Sequence, residues 1–274
     1  MLRTRVITAL LLLAVLLPIL YFNYFPAFAV VSTLFFAAAI WESARIFGAG
    51  SKAALAWGLL ALILFAAIMY FGSGPDIRLL FMLCVAIWGL RFVPALGFGL
   101  PPLASFANRM VAGTYAIAIF GCFLAIVVLF HRSPLYLLSV LVIVWVADIG
   151  AYFSGKAFGR HKLAPSISPG KSWEGALGGW ILVLAMMFGF SLAPALAETF
   201  PARLLASWGW AGLLAAATVL VAASVAGDLF ESLLKRRAGI KDSSNLLPGH
   251  GGVLDRVDAL IPVLPLAALL SFWF

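Results

Sequence analysis

Long apolar runs, separated by short polar stretches, dominate the sequence from end to end. Nine runs approach or reach the roughly 17–25 residues that an α-helix needs to cross a bilayer. They fall at about residues 6–24, 26–42, 53–72, 78–96, 110–130, 134–157, 173–196, 207–234 and 257–274. The runs are apolar at consecutive positions rather than at every second one, which excludes a transmembrane β-barrel. The pattern predicts an all-α, polytopic membrane protein of about nine transmembrane helices.

The composition agrees with a chain that lies mostly in lipid. Of the 274 residues, 65% are hydrophobic and 10% are charged, whereas about 25% are charged in an ordinary soluble domain. This composition excludes a soluble globular protein and a disordered chain, and two cysteines inside apolar runs do not make a disulfide scaffold. The net charge is +8, but the basic residues form no aromatic-interleaved patch on a soluble module. We therefore predict no nucleic-acid partner.

The basic residues also predict an orientation. If the N-terminus is cytoplasmic and the spans alternate, all but three of the 18 lysines and arginines fall on the cytoplasmic side. The exceptions are Arg78, Arg132 and Arg203. Cytoplasmic loops collect basic residues, so we predict a cytoplasmic N-terminus and a C-terminus on the far side. The first apolar run is longer than the ~7–15 residues of a signal-peptide core, and we interpret it as a retained helix.

Polar residues are distributed unevenly between the two halves. Residues 1–140 carry few intramembrane charges, whereas residues 141–260 carry most of the Asp, Glu, Lys, Gly and His. We therefore divide one membrane domain into N-terminal scaffold helices (1–140) and a C-terminal catalytic region (141–274). No internal repeat is visible, and inverted repeats are the usual mark of a secondary transporter.

The first polar constellation lies in the run 134–157. Asp148, Tyr152 and Gly155 share one helical face, and a carboxylate within a span costs at least ~2.5–3.5 kcal/mol on insertion scales. Asp148 should therefore face a polar cavity, with a buried structural ion pair as the alternative. Residues 150–156 match G-x-x-x-x-G-K, but Ala157 replaces the Ser/Thr and no strand precedes it, so this is not a P-loop. Helix packing is the simpler role for Gly155.

The loop 159–175 contains four basic residues and three serines before a helix that we predict from about Ser172. A helix N-terminus presents free N–H groups and the positive end of the helix dipole, which suits a phosphate. Ser168, Lys171 and Ser172 are therefore candidate phosphate-binding residues. The alternative is an ordinary basic loop on the cytoplasmic side.

The strongest signal lies in residues 227–258. One helical face, read by the i, i+3, i+4, i+7 rule, carries Asp228, Glu231, Ser232 and Lys235. Residues 248–252 form a glycine-rich turn whose N–H groups are typical of an anion nest, and Asp255 and Asp258 then begin the last run. Carboxylates beside phosphate-binding cations are what Mg²⁺ requires, so the pattern indicates phosphoryl or nucleotidyl transfer.

For three residues in or near this segment, two interpretations stay open. His250 is a metal ligand or base, or a loop histidine with neither role. Arg236 and Arg237 bind substrate, or they bind anionic lipid headgroups by charge alone. Arg236 is the better candidate of the two because it lies closer to Glu231.

Residues 232–258 resemble the signature of the phosphatidate cytidylyltransferases, also called CDP-diglyceride synthases. The resemblance rests on polar and glycine positions at fixed spacing. These are Ser232, Lys235, Arg236, Lys241, Asp242, Pro248, Gly249, His250, Gly251, Gly252, Asp255, Arg256 and Asp258. Residues 148–156 and 168–175 and the layout of the spans agree with the family as well.

The resemblance implies a reaction in phospholipid biosynthesis, in which CTP and phosphatidic acid give CDP-diacylglycerol and pyrophosphate with Mg²⁺. It places the family's paired metal-binding aspartates on Asp228 and Asp255, and the signature Ser, Lys and Arg on Ser232, Lys235 and Arg236. With Glu231 as a third metal ligand, these are the expected catalytic and metal residues, and a second metal ion is left open. The substrate-binding candidates are Asp148, Ser168, Lys171, Ser172, Lys241, Asp242, His250, Gly251, Gly252, Arg256 and Asp258.

The expected location is a bacterial inner membrane with the active site facing the cytoplasm, and the expected partners are CTP, phosphatidic acid, membrane lipids and a second copy in a homodimer. Two other functions fit the same charges. A related CTP-dependent kinase of an isoprenoid alcohol would transfer the γ-phosphate, and an anion transporter or lipid flippase would use the cavity without chemistry. Crowding of charge on the cytoplasmic side argues against transport.

Overall fold

The computed structural model describes residues 2–71 and 77–274, without the side chains of residues 2–7, 9 and 12. A π-helical turn, Trp88–Phe92, joins two of its helices into one continuous segment. The helices are α1 (Leu2–Tyr21), α2 (Phe25–Ile46), α3 (Ser51–Phe71), α4 (Arg78–Ile87), α5 (Val93–Phe98), α6 (Phe106–Arg132), α7 (Pro134–Phe158), α8 (Trp173–Leu192), α9 (Phe200–Arg237), α10 (Leu254–Val257) and α11 (Leu260–Leu270). The fold is a helical bundle, as predicted.

Seven helical segments in the described part of the chain are long and apolar enough to cross a membrane. They are α2, α3, the joined α4–α5, α6, α7, α8 and α9. The predicted count of nine is not confirmed. The last predicted span contains α11, whose 11 residues rise only about 16 Å at 1.5 Å per residue, short of the ~30 Å hydrocarbon core. The first contains α1, most of whose early side chains lie outside the described structure.

The core of the bundle forms around α6, which is the most buried of the seven segments. Tyr115 and Ile119 on this helix are completely buried. α11 packs against α6, α4 and α9, and its Ile261 and Leu264 are also fully buried. The short last helix is therefore enclosed by other helices, which explains why an apolar segment of this length is stable here.

A short β-hairpin joins α7 to α8, where the sequence predicted only a loop. Its antiparallel strands are β1 (Lys162–Ala164) and β2 (Ser168–Ser172). The hydroxyl of Ser172 accepts a hydrogen bond from the Gly175 N–H at 3.2 Å and caps α8, which confirms the predicted helix start. The Glu174 carboxylate accepts the backbone N–H of Arg160 at 3.1 Å, so the hairpin is closed back onto the start of α8.

Glycines allow α7 and α8 to pack very closely. A Cβ added to Gly150 would lie 2.9 Å from the Gly179 Cα, and one added to Gly155 would lie 3.5 Å from the Gly175 Cα. Small residues of this kind let the backbones of membrane helices approach each other. The packing role predicted for Gly155 is thereby confirmed. α9 passes beside both helices after a break at Gly209, whose φ is 66°.

Candidate functional site

A cavity of about 500 Å³ opens between α7, α8 and α9 at the end where the hairpin lies. Polar and charged side chains from three elements, α7, β2 and α9, line it. They are Asp148, Tyr152, Lys156, Ser168, Lys171, Ser172, Ser224 and Asp228. Asp148 was predicted to face a polar cavity, and Lys171 was predicted to belong to a phosphate-binding group. Both residues line this one cavity.

The central contact in this cavity is an ion pair between Lys171 Nζ on β2 and Asp228 Oδ2 on α9. Both side chains remain partly accessible, at 27% and 32% exposure. The Ser232 hydroxyl donates to Asp228 Oδ1 at 3.3 Å, one helical turn further along α9. The pair ties the hairpin to α9 and still leaves both charges open to a ligand.

A second polar cluster lies about two turns beyond Asp228 along α9, around Lys235. Its Nζ pairs with Glu231, which is completely buried, and lies 2.6 Å from Asp255 Oδ1. Asp255 Oδ2 accepts hydrogen bonds from the Ser243 N–H at 2.9 Å and the Gly252 N–H at 2.7 Å. Burial raises the pKa of Asp255, but the hydrogen bonds from Lys235, Gly252 and Ser243 outweigh it and hold this pKa below its ordinary value.

The glycine-rich turn predicted as an anion nest thus binds an anion of the protein itself. Besides the Gly252 N–H bond to Asp255, a Cβ added to Gly251 would lie 2.6 Å from Asp255 Oδ2. Gly251 has a φ of +86°, a conformation that glycine adopts without strain. The His250 N–H donates to the Leu247 carbonyl at 2.8 Å, and its Nδ1 is buried with no hydrogen-bond partner among the described residues.

Lys241 and Asp242 face a different cavity from Lys171 and Asp228. This second cavity, of about 670 Å³, lies between the end of α2 and residues 240–246 and includes Trp41. Both predicted residues are exposed there. The structure therefore does not bring them to the first cavity.

The remaining predicted residues surround the clusters. Asp258 accepts the Ala259 N–H at 2.8 Å, and its backbone packs against Gly227, where an added Cβ would lie 2.5 Å from the Asp258 carbonyl oxygen. Asp258 therefore lies beside the part of α9 that carries Asp228. Arg256 is exposed.

Arg236 and Arg237 differ in their contacts. Arg236 is exposed and its Nε lies 3.4 Å from the Ile167 carbonyl oxygen in the hairpin. Arg237 donates to the Pro101 carbonyl at 3.0 Å and lies 5.1 Å over the Phe47 ring. Arg237 is thus partly buried against other segments of the protein, whereas Arg236 is exposed and lies beside the hairpin.

The carboxylates divide into two groups with respect to a metal ion. Asp148 and Asp228 line the first cavity and fit Mg²⁺, which takes one or two carboxylates and completes its shell with water and substrate phosphates. Glu231 and Asp255 are held by Lys235 and by N–H donors. Among the described residues, no group of three or more His, Cys, Asp or Glu side chains is arranged around a common metal position. The metal set Asp228, Asp255 and Glu231 stays a prediction.

Two residues of the described site had no place in the sequence analysis. Ser224 lines the first cavity, and its buried hydroxyl has no hydrogen-bond partner in the described part of the chain. Glu42 on α2 is completely buried and binds the segment that carries the signature. A glutamate at the end of an apolar run was the available signal for Glu42, because charged residues within membrane helices are expensive.

Comparisons with known proteins place this geometry in context. The sequence model of the cytidylyltransferase family matches residues 3–274. A phosphatidate cytidylyltransferase of Pseudomonas aeruginosa is 39% identical over an alignment of 293 positions, which covers 98% of this chain and 97% of that protein. The enzyme of the same name from Haemophilus influenzae is 39% identical over 72% of this chain and 69% of its own length. One from Bacillus subtilis is 38% identical over 57% of this chain and 54% of its own.

Proposed function

Because the chain belongs to the cytidylyltransferase family, we propose that it is an integral-membrane enzyme that makes CDP-diacylglycerol and pyrophosphate from CTP and phosphatidic acid. The observation that supports this most directly is the Lys171–Asp228 pair in a cavity between apolar helices. A soluble nucleotide and a membrane lipid must meet at such a place. Tyr152 and Trp173, 63% and 57% exposed beside the hairpin, provide an apolar border for the lipid.

The reaction transfers a cytidylyl group to a nucleophile that is already anionic. A phosphate oxygen of phosphatidate forms a bond to the α-phosphorus of CTP, the bond from that phosphorus to the oxygen bridging to the β-phosphate breaks, and its electron pair leaves on pyrophosphate. No proton has to be removed from the nucleophile. Catalysis therefore consists of neutralising negative charge and aligning the two phosphates.

The chain's own residues have distinct roles in this proposal. Lys171 neutralises a substrate phosphate, and the serines of β2 that line the cavity donate to phosphate oxygens. Arg236 and Arg256, which are exposed residues of the signature, add positive charge. Lys235 is held by Glu231 and Asp255 and contributes a fixed cation one turn from Ser232. Together these groups stabilise the negative charge that shifts onto the leaving pyrophosphate in the transition state.

Magnesium belongs to the proposal as the cofactor. Asp228 and Asp148 would hold it in the first cavity, and when bound it supplies charge neutralisation to the CTP phosphates. Asp255 and Glu231 would become metal ligands only if the ion replaced Lys235 as their partner. The proposal also keeps a cytoplasmic active site, a bacterial inner membrane, and two further spans at α1 and the run 257–274. It keeps a homodimer as well, which cross-linking in native membranes tests.

The position of the label on CTP tests the proposed function. Purified protein in detergent micelles is incubated with phosphatidate and Mg²⁺, and with CTP labelled either at the α- or at the γ-phosphate. We expect label in the lipid from α-labelled CTP and label in pyrophosphate from γ-labelled CTP. Lipid labelled from the γ-phosphate would show a kinase instead. Turnover in micelles, which have no second compartment, separates either enzyme from a transporter.

A further inference from the structure

Glu42 connects the N-terminal helices to the signature segment. Its carboxylate is completely buried and accepts four hydrogen bonds. Oε1 accepts from the Ser244 hydroxyl at 2.6 Å and from the Val253 N–H at 3.0 Å. Oε2 accepts from the Leu254 N–H at 2.7 Å and from the Ser243 hydroxyl at 3.1 Å.

All four donors are neutral, and all come from residues 243–254, which lie 201–212 positions away in sequence. Hydrogen bonds to an ionised acceptor are stronger than those between neutral groups. Removing the acceptor would leave buried N–H and O–H donors unpaired, which is unfavourable. Glu42 is therefore a specific anchor for this segment, and not a surface charge.

The contacts continue from the anchor to α9. The Ser243 hydroxyl lies within hydrogen-bond distance of both Glu42 and Asp255, and 2.9 Å from Asp255 Oδ2. Asp255 in turn holds Lys235 at 2.6 Å. At Gly252 an added Cβ would lie 2.5 Å from Glu42 Oε1, so a glycine is required for this approach. One chain of polar contacts thus runs from α2 through the signature segment to α9.

We propose that Glu42 is a positioning residue for the transfer reaction. It holds residues 243–255 so that Asp255 keeps Lys235 in place, one helical turn from Ser232, which contacts Asp228 in the first cavity. Glu42 acts through Ser243 and Asp255 rather than by touching substrate. The proposal rests on the proposed function, because the residues that Glu42 positions are those assigned to phosphate transfer.

The test compares Glu42→Gln with wild type. Glutamine has the same shape, but an NH₂ group replaces one carboxylate oxygen. This group would face the two hydrogen-bond donors that now bind that oxygen. We expect kcat per folded molecule to fall about 10- to 100-fold, the loss that follows from displaced catalytic groups, with KM for CTP changed much less. Amide hydrogen exchange should become faster in residues 243–255 and stay the same in α6. Glu198→Gln, at an exposed pair with Arg203, is the matched control.

Each outcome decides the proposal. A Glu42→Gln protein that melts earlier but keeps wild-type kcat and exchange would have only a structural role, and the proposal would be wrong. If Glu42→Gln does not fold, Ser244→Ala removes one of the four bonds, and we expect the same changes at smaller size; unchanged kcat and exchange there would overturn the proposal. A wild type inactive on CTP and phosphatidate would refute the proposed function alone, since exchange in residues 243–255 still shows whether Glu42 anchors them.

Discussion

Lys171, the cation at the end of the β-hairpin, forms an ion pair with Asp228 in the last turns of α9. The two residues lie 57 positions apart on elements that meet only through the tertiary fold. Their pairing places the cation proposed to bind phosphate and the carboxylate proposed to bind the metal ion in one cavity. A substrate phosphate would replace Asp228 on Lys171 and so release the carboxylate.

Removing the charge of Lys171 should weaken the use of CTP. We expect Lys171→Met to lower kcat/KM about 10- to 100-fold, since a charge-assisted contact to phosphate is worth about 1.5–3 kcal/mol. Lys162→Met is the control, because Lys162 is an exposed lysine of the same hairpin. The check is the initial rate against CTP concentration in micelles. Equal losses in the two variants would mean that only the overall charge of the hairpin matters.

The metal assignment can be decided by magnesium titration of three variants. Asp228→Asn should abolish Mg²⁺-dependent turnover, a loss of at least about 100-fold, while the protein stays folded and membrane-inserted. If the first cavity holds the ion, Asp148→Asn should raise the Mg²⁺ concentration for half-maximal rate more than Asp255→Asn does. The reverse order would support Asp255 as the second ligand. Full activity of Asp228→Asn would contradict any metal role for this residue.

Substitution of Arg236 should mainly reduce activity, whereas substitution of Arg237 should mainly reduce stability. Arg236→Ala is expected to reduce kcat/KM, because Arg236 is exposed beside the hairpin. Arg237→Ala should keep near wild-type activity per folded molecule but lose about 1–3 kcal/mol of stability, because it removes the contacts with Phe47 and Pro101. Activity and Tm in detergent are measured together. Equal activity losses would show that Arg237 also serves the reaction.

The pH dependence of stability should reveal the buried carboxylate of Asp255. Its pKa is lowered in the folded protein, so its contribution is present above the unfolded pKa of about 3.9 and is lost as the pH falls through the folded value. The Tm difference between wild type and Asp255→Asn should therefore be constant from about pH 7 to pH 5 and shrink below about pH 4. Asp242→Asn, in the same segment and exposed, should show little difference. A gap that widens in acid would contradict this account.

Hydropathy and local spacing were sufficient for much of the fold. Each predicted apolar run contains a helix, because burial in lipid requires long apolar segments and a helix satisfies its own backbone. The start of α8 was also predictable, since Ser172 is a good N-cap. The β-hairpin was not, because its short strands carry no alternating pattern. The count of nine spans is not confirmed, because α11 by itself is too short to cross a bilayer and is enclosed by other helices.

Several polar residues that line the first cavity were predictable from the sequence, but their grouping was less so. Helical spacing placed Asp228 and Glu231 on one face. At 100° per residue, however, the two side chains are about 60° apart around the helix, and they form ion pairs with different lysines. Asp228 pairs with Lys171 and Glu231 with Lys235. Glu42 was missed because its partners are 201–212 residues away, and no spacing rule links positions that distant.

Protection of the first cavity by substrate is the most direct test of where the reaction takes place. Tyr152 and Phe153 are neighbours with nearly equal exposure, 63% and 65%, but of these two only Tyr152 lines the cavity. Cysteine is introduced at each position, and the rate of its reaction with N-ethylmaleimide is measured with and without CTP and Mg²⁺. The native Cys84 and Cys122 are buried. At CTP ten times its dissociation constant, labelling of Tyr152→Cys should slow about tenfold, while Phe153→Cys stays unchanged. Equal rates with and without CTP at position 152 would place the nucleotide elsewhere and contradict the account.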